Sequence, residues 1–207
     1  MKDRSANRLL IITVLALAIG GASLAVQGPL LGDDGATRTL QSLFGDAPRW
    51  AGWLTDTAKP PMVIATMGVG AGLAWLAAGW RSALSVPLAF ALAWLIDKGL
   101  RAVIFAPRPS PDLVAVASAS SSSGLPSTFG LVYGSIFGVV VFAAATGRSA
   151  IVLRALALAL TLAGAAARVV LGGHWTSQMV ASVLLGLLAA AAASAVVYRL
   201  LMKEVAR

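Results

Sequence analysis

One histidine occurs in the 207 residues, His174, and it lies six positions after Arg168 in the stretch Arg168-Val-Val-Leu-Gly-Gly-His174-Trp175, between two hydrophobic runs. Imidazole is the side chain that titrates unperturbed near neutrality, so a single one beside an arginine at the membrane marks a nucleophile or a proton carrier. The competing reading is a histidine at the level of the lipid headgroups with no special partner. Arg101 and Arg108, the latter followed by Pro109, add two forks of donors matched to phosphate oxygens. Taken alone they read as headgroup anchors. Pro126-Ser127-Thr128 opens an apolar run as an N-cap and first turn, and the free backbone N–H groups of such a start bind anions. All three pieces share one chemistry, the holding of an oxyanion. An arginine such as Arg168 costs about 2.5–3.5 kcal/mol near the bilayer centre, so it needs a polar partner. A bound phosphate, Asp112 or Gln178 would serve.

These residues must be positioned by membrane helices. Hydrophobic residues make up 58% of the chain and charged ones 12%, and no polar stretch is long enough for a second unit, so residues 1–207 read as a single membrane-embedded domain. Apolar runs at 9–26, 62–80, 83–96, 128–145, 155–167 and 179–198 predict an all-α, six-span bundle, because lipid offers the backbone no outside partner. The third and fifth runs are short. They reach bilayer length only with Arg101, or with Arg154 and Arg168, near their ends, where such residues snorkel or face a polar interior. The first run is preceded by Lys2, Asp3 and Arg4 and contains Ser23-Leu24-Ala25, which resembles a cleavage site. Its 18 apolar residues exceed the usual signal-peptide core of about 7–15, so a retained span is expected.

Between the first two spans, residues 36–53 carry Leu40, Leu43, Phe44, Trp50 and Trp53 at near-helical spacing, which predicts a short extracytoplasmic interfacial helix or, failing that, a loop with aromatic anchors. Trp50, Trp53, Trp80 and Trp175 lie near span ends and read as an aromatic belt. Gly130, Gly134 and Gly138 align on one helical face, where another helix can approach closely, within the monomer or in a homodimer. The Ala- and Ser-rich residues 115–124 read as a flexible loop over the site or a linker.

Sorting Lys and Arg by side places nine with the two termini and seven on the opposite side, which predicts cytoplasmic termini. The loops bearing Arg108, Ser127 and His174 then face outward from the cytoplasmic membrane. The net charge of +8 does not imply nucleic acid, because the basic residues flank hydrophobic runs. Without cysteine there is no thiolate chemistry and no disulfide. One histidine without spaced carboxylates makes no metal centre, and no cofactor is implied.

The pieces together resemble the membrane phosphatases of the type 2 phosphatidic acid phosphatase and vanadium haloperoxidase superfamily. That family's pattern is Lys-x6-Arg-Pro, then Pro-Ser-Gly-His, then Ser-Arg-x5-His-x3-Asp. Here the matching stretches are Arg101-x6-Arg108-Pro109, Pro126-Ser127-Thr128-Phe129 and Ala167-Arg168-x5-His174-x3-Gln178. The resemblance implies that His174 attacks phosphorus to form a phosphohistidine, while Arg101, Arg108, Arg168 and Ser127, with Thr128 beside it, hold phosphate oxygens. Arg101 stands where the family has lysine, and Lys98, one turn earlier, is the other candidate for that charge.

Two positions depart from the pattern. The histidine that protonates the departing oxygen is replaced by Phe129, which transfers no proton, and acid–base help of this kind is typically worth about 10²–10⁴ in rate. The aspartate that orients the nucleophile is replaced by Gln178, whose carbonyl can accept an imidazole N–H but supplies no negative charge. The expected function is a lipid phosphatase or phosphotransferase acting at the outer face on an isoprenoid or glycerolipid (di)phosphate. A diphosphate suits the missing acid better, because its leaving phosphate is far less basic than an alkoxide. The alternative is a catalytically impaired protein that binds a lipid phosphate as sensor, carrier or partner. A purely structural helical bundle is the third reading, and the spans count against a halide-oxidising activity.

Overall fold

In lipid each backbone N–H and C=O must bond within its own segment, and the chain is helical almost throughout. The structure, a computed structural model, describes residues 2–143 and 146–205, with side chains from residue 6 to residue 201. The helices among these residues are α1 (Lys2–Val26), α2 (Asp33–Phe44), α3 (Arg49–Asp56), α4 (Met62–Ala78), α5 (Trp80–Val103), α6 (Thr128–Phe142), α7 (Arg148–Val170) and α8 (Thr176–Val205).

Four of them, α1, α5, α7 and α8, are long and apolar enough to cross a membrane, and α4 and α6 are shorter apolar helices. The short helices are thus α4 and α6, for which the sequence predicts runs of bilayer length. The runs at 83–96 and 155–167 belong to helices of 24 and 23 residues, because the helical backbone continues through Lys98 and Arg101, and through Arg154 and Arg168. The 17 residues of α4 and 15 of α6 span about 26 and 23 Å at 1.5 Å per residue, less than the ~30 Å hydrocarbon core. The end of the run expected at Ala145 lies outside the described residues.

Every residue from Phe129 to Val140 of α6 is buried, so this helix is the centre of the bundle. It packs against α8, α5, α7 and α4. The closest approach is to α8: a Cβ on Gly134 would stand 2.4 Å from the Val183 carbonyl, and one on Gly138 2.9 Å from the Ala190 Cβ. The glycine stripe read from the sequence is thus filled by a helix of the same chain.

Residues 36–53 form two helices rather than one. Gly45, at φ 86°, ends α2 by donating its N–H to the Gln41 carbonyl at 2.8 Å, and Pro48 starts α3. Phe44 and Trp50 meet edge to face across the corner, 5.6 Å between ring centres. Both helices pack on α7, and α2 also reaches α8. Asp33 at the start of α2 accepts the backbone N–H of Ser177 at 2.8 Å and its hydroxyl at 2.6 Å, fastening this roof to the first turn of α8. Under that roof Trp175 is only 1% exposed, so it is a core residue and not part of an aromatic belt; Trp50, Trp53 and Trp80 do remain exposed.

The irregular segment 104–127 is fastened at several points. Ala117 N–H donates to Leu171 O at 3.0 Å and Gly124 N–H to Ala106 O at 2.7 Å. Gln41 of α2 donates through Nε2 to both Ala115 O and Val170 O, at 2.8 and 3.0 Å, tying the segment to the end of α7.

Candidate functional site

Four helix ends converge beneath this roof: the C-terminal ends of α5 and α7 and the N-terminal ends of α6 and α8. Arg101 occupies the last turn of α5 and Arg168 the last turn of α7. His174 lies in the turn between α7 and α8 and is 2% exposed. Its Nδ1 lies 2.8 Å from the Gly124 carbonyl. A carbonyl can only accept, so Nδ1 carries the ring proton and Nε2 keeps its lone pair. That lone pair faces Nη1 of Arg108 at 3.3 Å. Burial, then the charges of Arg108 and Arg168, holds the imidazole pKa well below its usual value, against the opposing pull of the Gly124 bond. The imidazole is therefore neutral near pH 7 and nucleophilic at Nε2.

Arg108 is fixed by its neighbours. Its Nε donates to Ser122 O at 2.9 Å, Nη2 to Ser122 Oγ at 2.8 Å and Nη1 to Gly173 O at 2.9 Å. Burial, together with Arg168 and Arg101, lowers its pKa to about 10, which leaves it charged at neutral pH. Arg168 is different: its buried Nε has no hydrogen-bond partner. Neither protein group expected to compensate it does so, because Asp112 accepts from Ser110 Oγ and Gln178 bonds backbone groups. Its guanidinium lies against Gly173, where a Cβ would stand 2.7 Å from Nη2. A buried donor without a partner, on a residue that shares a cavity with two other arginines, is suited to an anion.

A cavity of about 260 Å³ brings together Arg101, Arg108, Thr128, Phe129, Arg168 and His174, and adds Thr55 and Lys59 from the α3–α4 stretch. The other expected site residues lie elsewhere. Ser127 is fully buried, receives the Gly130 N–H at 3.4 Å as the N-cap of α6, and donates its own N–H to Ser182 Oγ at 2.7 Å. It starts the helix and does not line the cavity. Lys98 stands over the Trp94 ring, 5.8 Å from its centre, in an adjoining groove. Gln178 makes no hydrogen bond to the imidazole: its Oε1 accepts the Trp175 N–H at 3.2 Å and its Nε2 donates to Pro107 O at 2.8 Å. Phe129 lines the cavity and stacks on Tyr133 with ring centres 4.2 Å apart.

The sequence reading missed Asp97, Gly124, Thr55 and Lys59. Asp97 was signalled by an acid directly after an apolar run and four residues before Arg101, a helical ion-pair spacing. Arg101 Nε donates to Asp97 Oδ1 at 3.0 Å, and Nη2 donates to Pro126 O at 2.6 Å and to Thr128 Oγ1 at 3.1 Å. Gly124 had no signal, since its contribution is a backbone carbonyl. The Thr55 hydroxyl is a buried group without a partner at the cavity wall.

Beside the cavity runs a groove of about 690 Å³, sharing Arg101, Arg108 and Thr128 with it and walled by Val63, Phe90, Trp94, Leu131 and Val132. Its lining is mostly apolar, with Asp97, Lys98 and Ser122 besides the residues it shares with the cavity. Among the described residues no group of three or more His, Asp or Glu side chains is arranged to hold a metal.

The family model of the PAP2 superfamily matches residues 82–202. In three dimensions the chain is similar to a transmembrane PAP2-type phosphatidylglycerolphosphate phosphatase from Bacillus subtilis, with a TM-score of 0.69 and 18% identity over 91% of this chain and 94% of that one. At that identity the likeness speaks for a shared fold. No curated protein matches the sequence.

Proposed function

The chain belongs to the PAP2 superfamily, whose model matches more than half of it, and from that premise we propose that it is a membrane lipid phosphatase working through His174. The observation that carries this reading is the polarised imidazole: Nδ1 is tied to the Gly124 carbonyl and Nε2 faces Arg108 in a cavity that Arg168 also lines. In the proposed first step Nε2 bonds to phosphorus while the bond from phosphorus to the leaving oxygen breaks, its electron pair going to that oxygen. Arg108 and Arg168 hold the non-bridging oxygens and offset the charge that gathers there. Water then displaces phosphate from the histidine.

Phe129 gives the leaving oxygen no proton, which favours a substrate whose leaving group is itself a phosphate. The preferred substrate is therefore a lipid diphosphate, isoprenoid or glycerolipid, losing its terminal phosphoryl group. The apolar groove supports a lipid, since a hydrocarbon chain lying between α4, α5 and α6 would deliver its headgroup to the arginines.

The same proposal takes α1 and α4–α8 as six spans of one domain over residues 1–207. Both termini are then cytoplasmic and the cavity opens at the outer face of the cytoplasmic membrane. Two consecutive pairs, α5 with α6 and α7 with α8, meet at the cavity by a C-terminal and an N-terminal end, as alternate crossing requires. A homodimer is compatible, although the α6 glycines would not form it.

The test is phosphate release in detergent from an isoprenoid diphosphate and from phosphatidic acid, with His174→Ala as control. Faster release from the diphosphate, abolished in the variant, is the expected result; equal rates in both proteins would end the proposal.

A second reading, phosphate binding without turnover, is favoured by Phe129 packed on Tyr133 and by a Gln178 amide hydrogen-bonded to Trp175 and Pro107 instead of the imidazole. It expects vanadate binding with no phosphate release in the native chain, and release only after Phe129→His.

A further inference from the structure

The buried carboxylate of Asp97 has no part in the steps above, yet it sits one hydrogen bond from the cavity. It is 5% exposed within α5, where an acid is costly unless it is paired or used. Its Oδ1 accepts two bonds, from Arg101 Nε at 3.0 Å and from the Thr128 hydroxyl at 2.9 Å. The Thr128 proton is thus directed at the carboxylate. One lone pair of that hydroxyl oxygen takes Arg101 Nη2 at 3.1 Å, and the other is left. Thr128 is exposed and lines both the cavity that holds His174 and the neighbouring groove. It also precedes Phe129, so the hydroxyl enters the cavity beside the residue that carries no proton.

On the phosphatase reading above, we propose that Thr128 and Asp97 form the proton relay that hydrolyses the phosphohistidine. The water oxygen bonds to phosphorus as the bond from phosphorus to Nε2 breaks and its electron pair returns to the imidazole. One water proton passes to Thr128 Oγ1 while the Thr128 proton passes to Asp97. Phosphate leaves, and the Asp97 carboxylic acid returns its proton through the same hydroxyl to solvent. Thr128 is the group that touches the water, and Asp97 acts through it.

An Asp97 that only held Arg101 in place would behave differently. The full chain in detergent is given farnesyl diphosphate labelled in its terminal phosphate, and both released phosphate and acid-labile protein label are followed. Asp97→Asn and Thr128→Val are expected to lower turnover by about 10²-fold or more while labelled protein accumulates, because the first step survives and the second stalls. Thr128→Ser keeps the hydroxyl and restores most of the turnover. Thr128→Val leaves the Asp97–Arg101 pair intact, so it decides the matter if Asp97→Asn fails to fold. Turnover at the native rate in Thr128→Val, or loss of label together with turnover in that variant, overturns the relay. A native chain that neither takes up label nor releases phosphate overturns the phosphatase reading itself, and the relay with it.

Discussion

The Gly124 carbonyl accepts the Nδ1 proton of His174 at 2.8 Å, so a neutral backbone group orients the imidazole where the family resemblance places an aspartate. A carbonyl fixes the tautomer as a carboxylate would, but it lends no negative charge to an imidazolium. With Arg108 and Arg168 close by, the ring is strongly biased towards its neutral form.

That bias has a sign in stability. The unfolded chain takes up a proton on His174 as pH falls through about 6.5, whereas the folded chain does not until much lower pH. Stability from this group is complete above about 6.5 and is lost below it at up to ~1.4 kcal/mol per pH unit. Thermal unfolding in detergent at pH 5–8 should show this loss in the native chain and a shallower one in His174→Gln. Parallel curves would contradict the buried neutral ring.

Arg168 supplies the second prediction. Its side chain lines the cavity and no hydrogen bond inside the chain holds its Nε, so an anion bound there gains a charge-assisted partner without displacing one of that group. Replacing it with glutamine should weaken vanadate binding by about 10–100-fold, the equivalent of about 1.5–3 kcal/mol for a bond to a charged group. Isothermal titration of the native and variant proteins measures it. Unchanged affinity would place the anion elsewhere.

Much of this was legible in the sequence because membrane helices must be continuous apolar runs and because arginine and histidine are rare inside them. Arg101, Arg108, Arg168, His174 and Phe129 line one cavity, as the family resemblance implied, while Ser127, expected with them, does not. What could not be read were contacts made by backbone or across large separations. The Gly124 carbonyl has no residue type to announce it, and Gln178 turned to Pro107 and Trp175 because both backbone groups lay open within its reach. Helix lengths were legible in part: α5 and α7 do continue through Arg101, Arg154 and Arg168, whereas α4 and α6 stop at 17 and 15 residues, shorter than their apolar runs.

The α6–α8 seam gives a prediction independent of the chemistry. A methyl group at Gly134 would lie 2.4 Å from Val183 O and 3.1 Å from Val183 Cα, both backbone atoms that cannot swing aside. Gly134→Ala should therefore cost about 1–3 kcal/mol through overpacking. Thermal unfolding reports it, with Gly68→Ala on α4, where the added methyl meets nothing within 4 Å, as the control. Equal midpoints would mean that the two helices sit further apart than described.

Gln178 supplies the last prediction, and it runs against the family pattern. Its amide joins the Pro107 carbonyl, one residue before Arg108, to the Trp175 N–H, one residue after His174, so it couples the segments carrying the cation and the nucleophile. Aspartate at this position is one carbon shorter and donates no hydrogen bond when ionised. It would leave Pro107 O unpaired, at a cost of about 1–3 kcal/mol, and the Nδ1 that the family's aspartate orients is already bonded to Gly124. Gln178→Asp should thus lower both the unfolding midpoint and the phosphate-release rate, despite bringing the chain closer to the family motif. A tenfold gain in rate instead would show that the imidazole exchanges Gly124 for the new carboxylate.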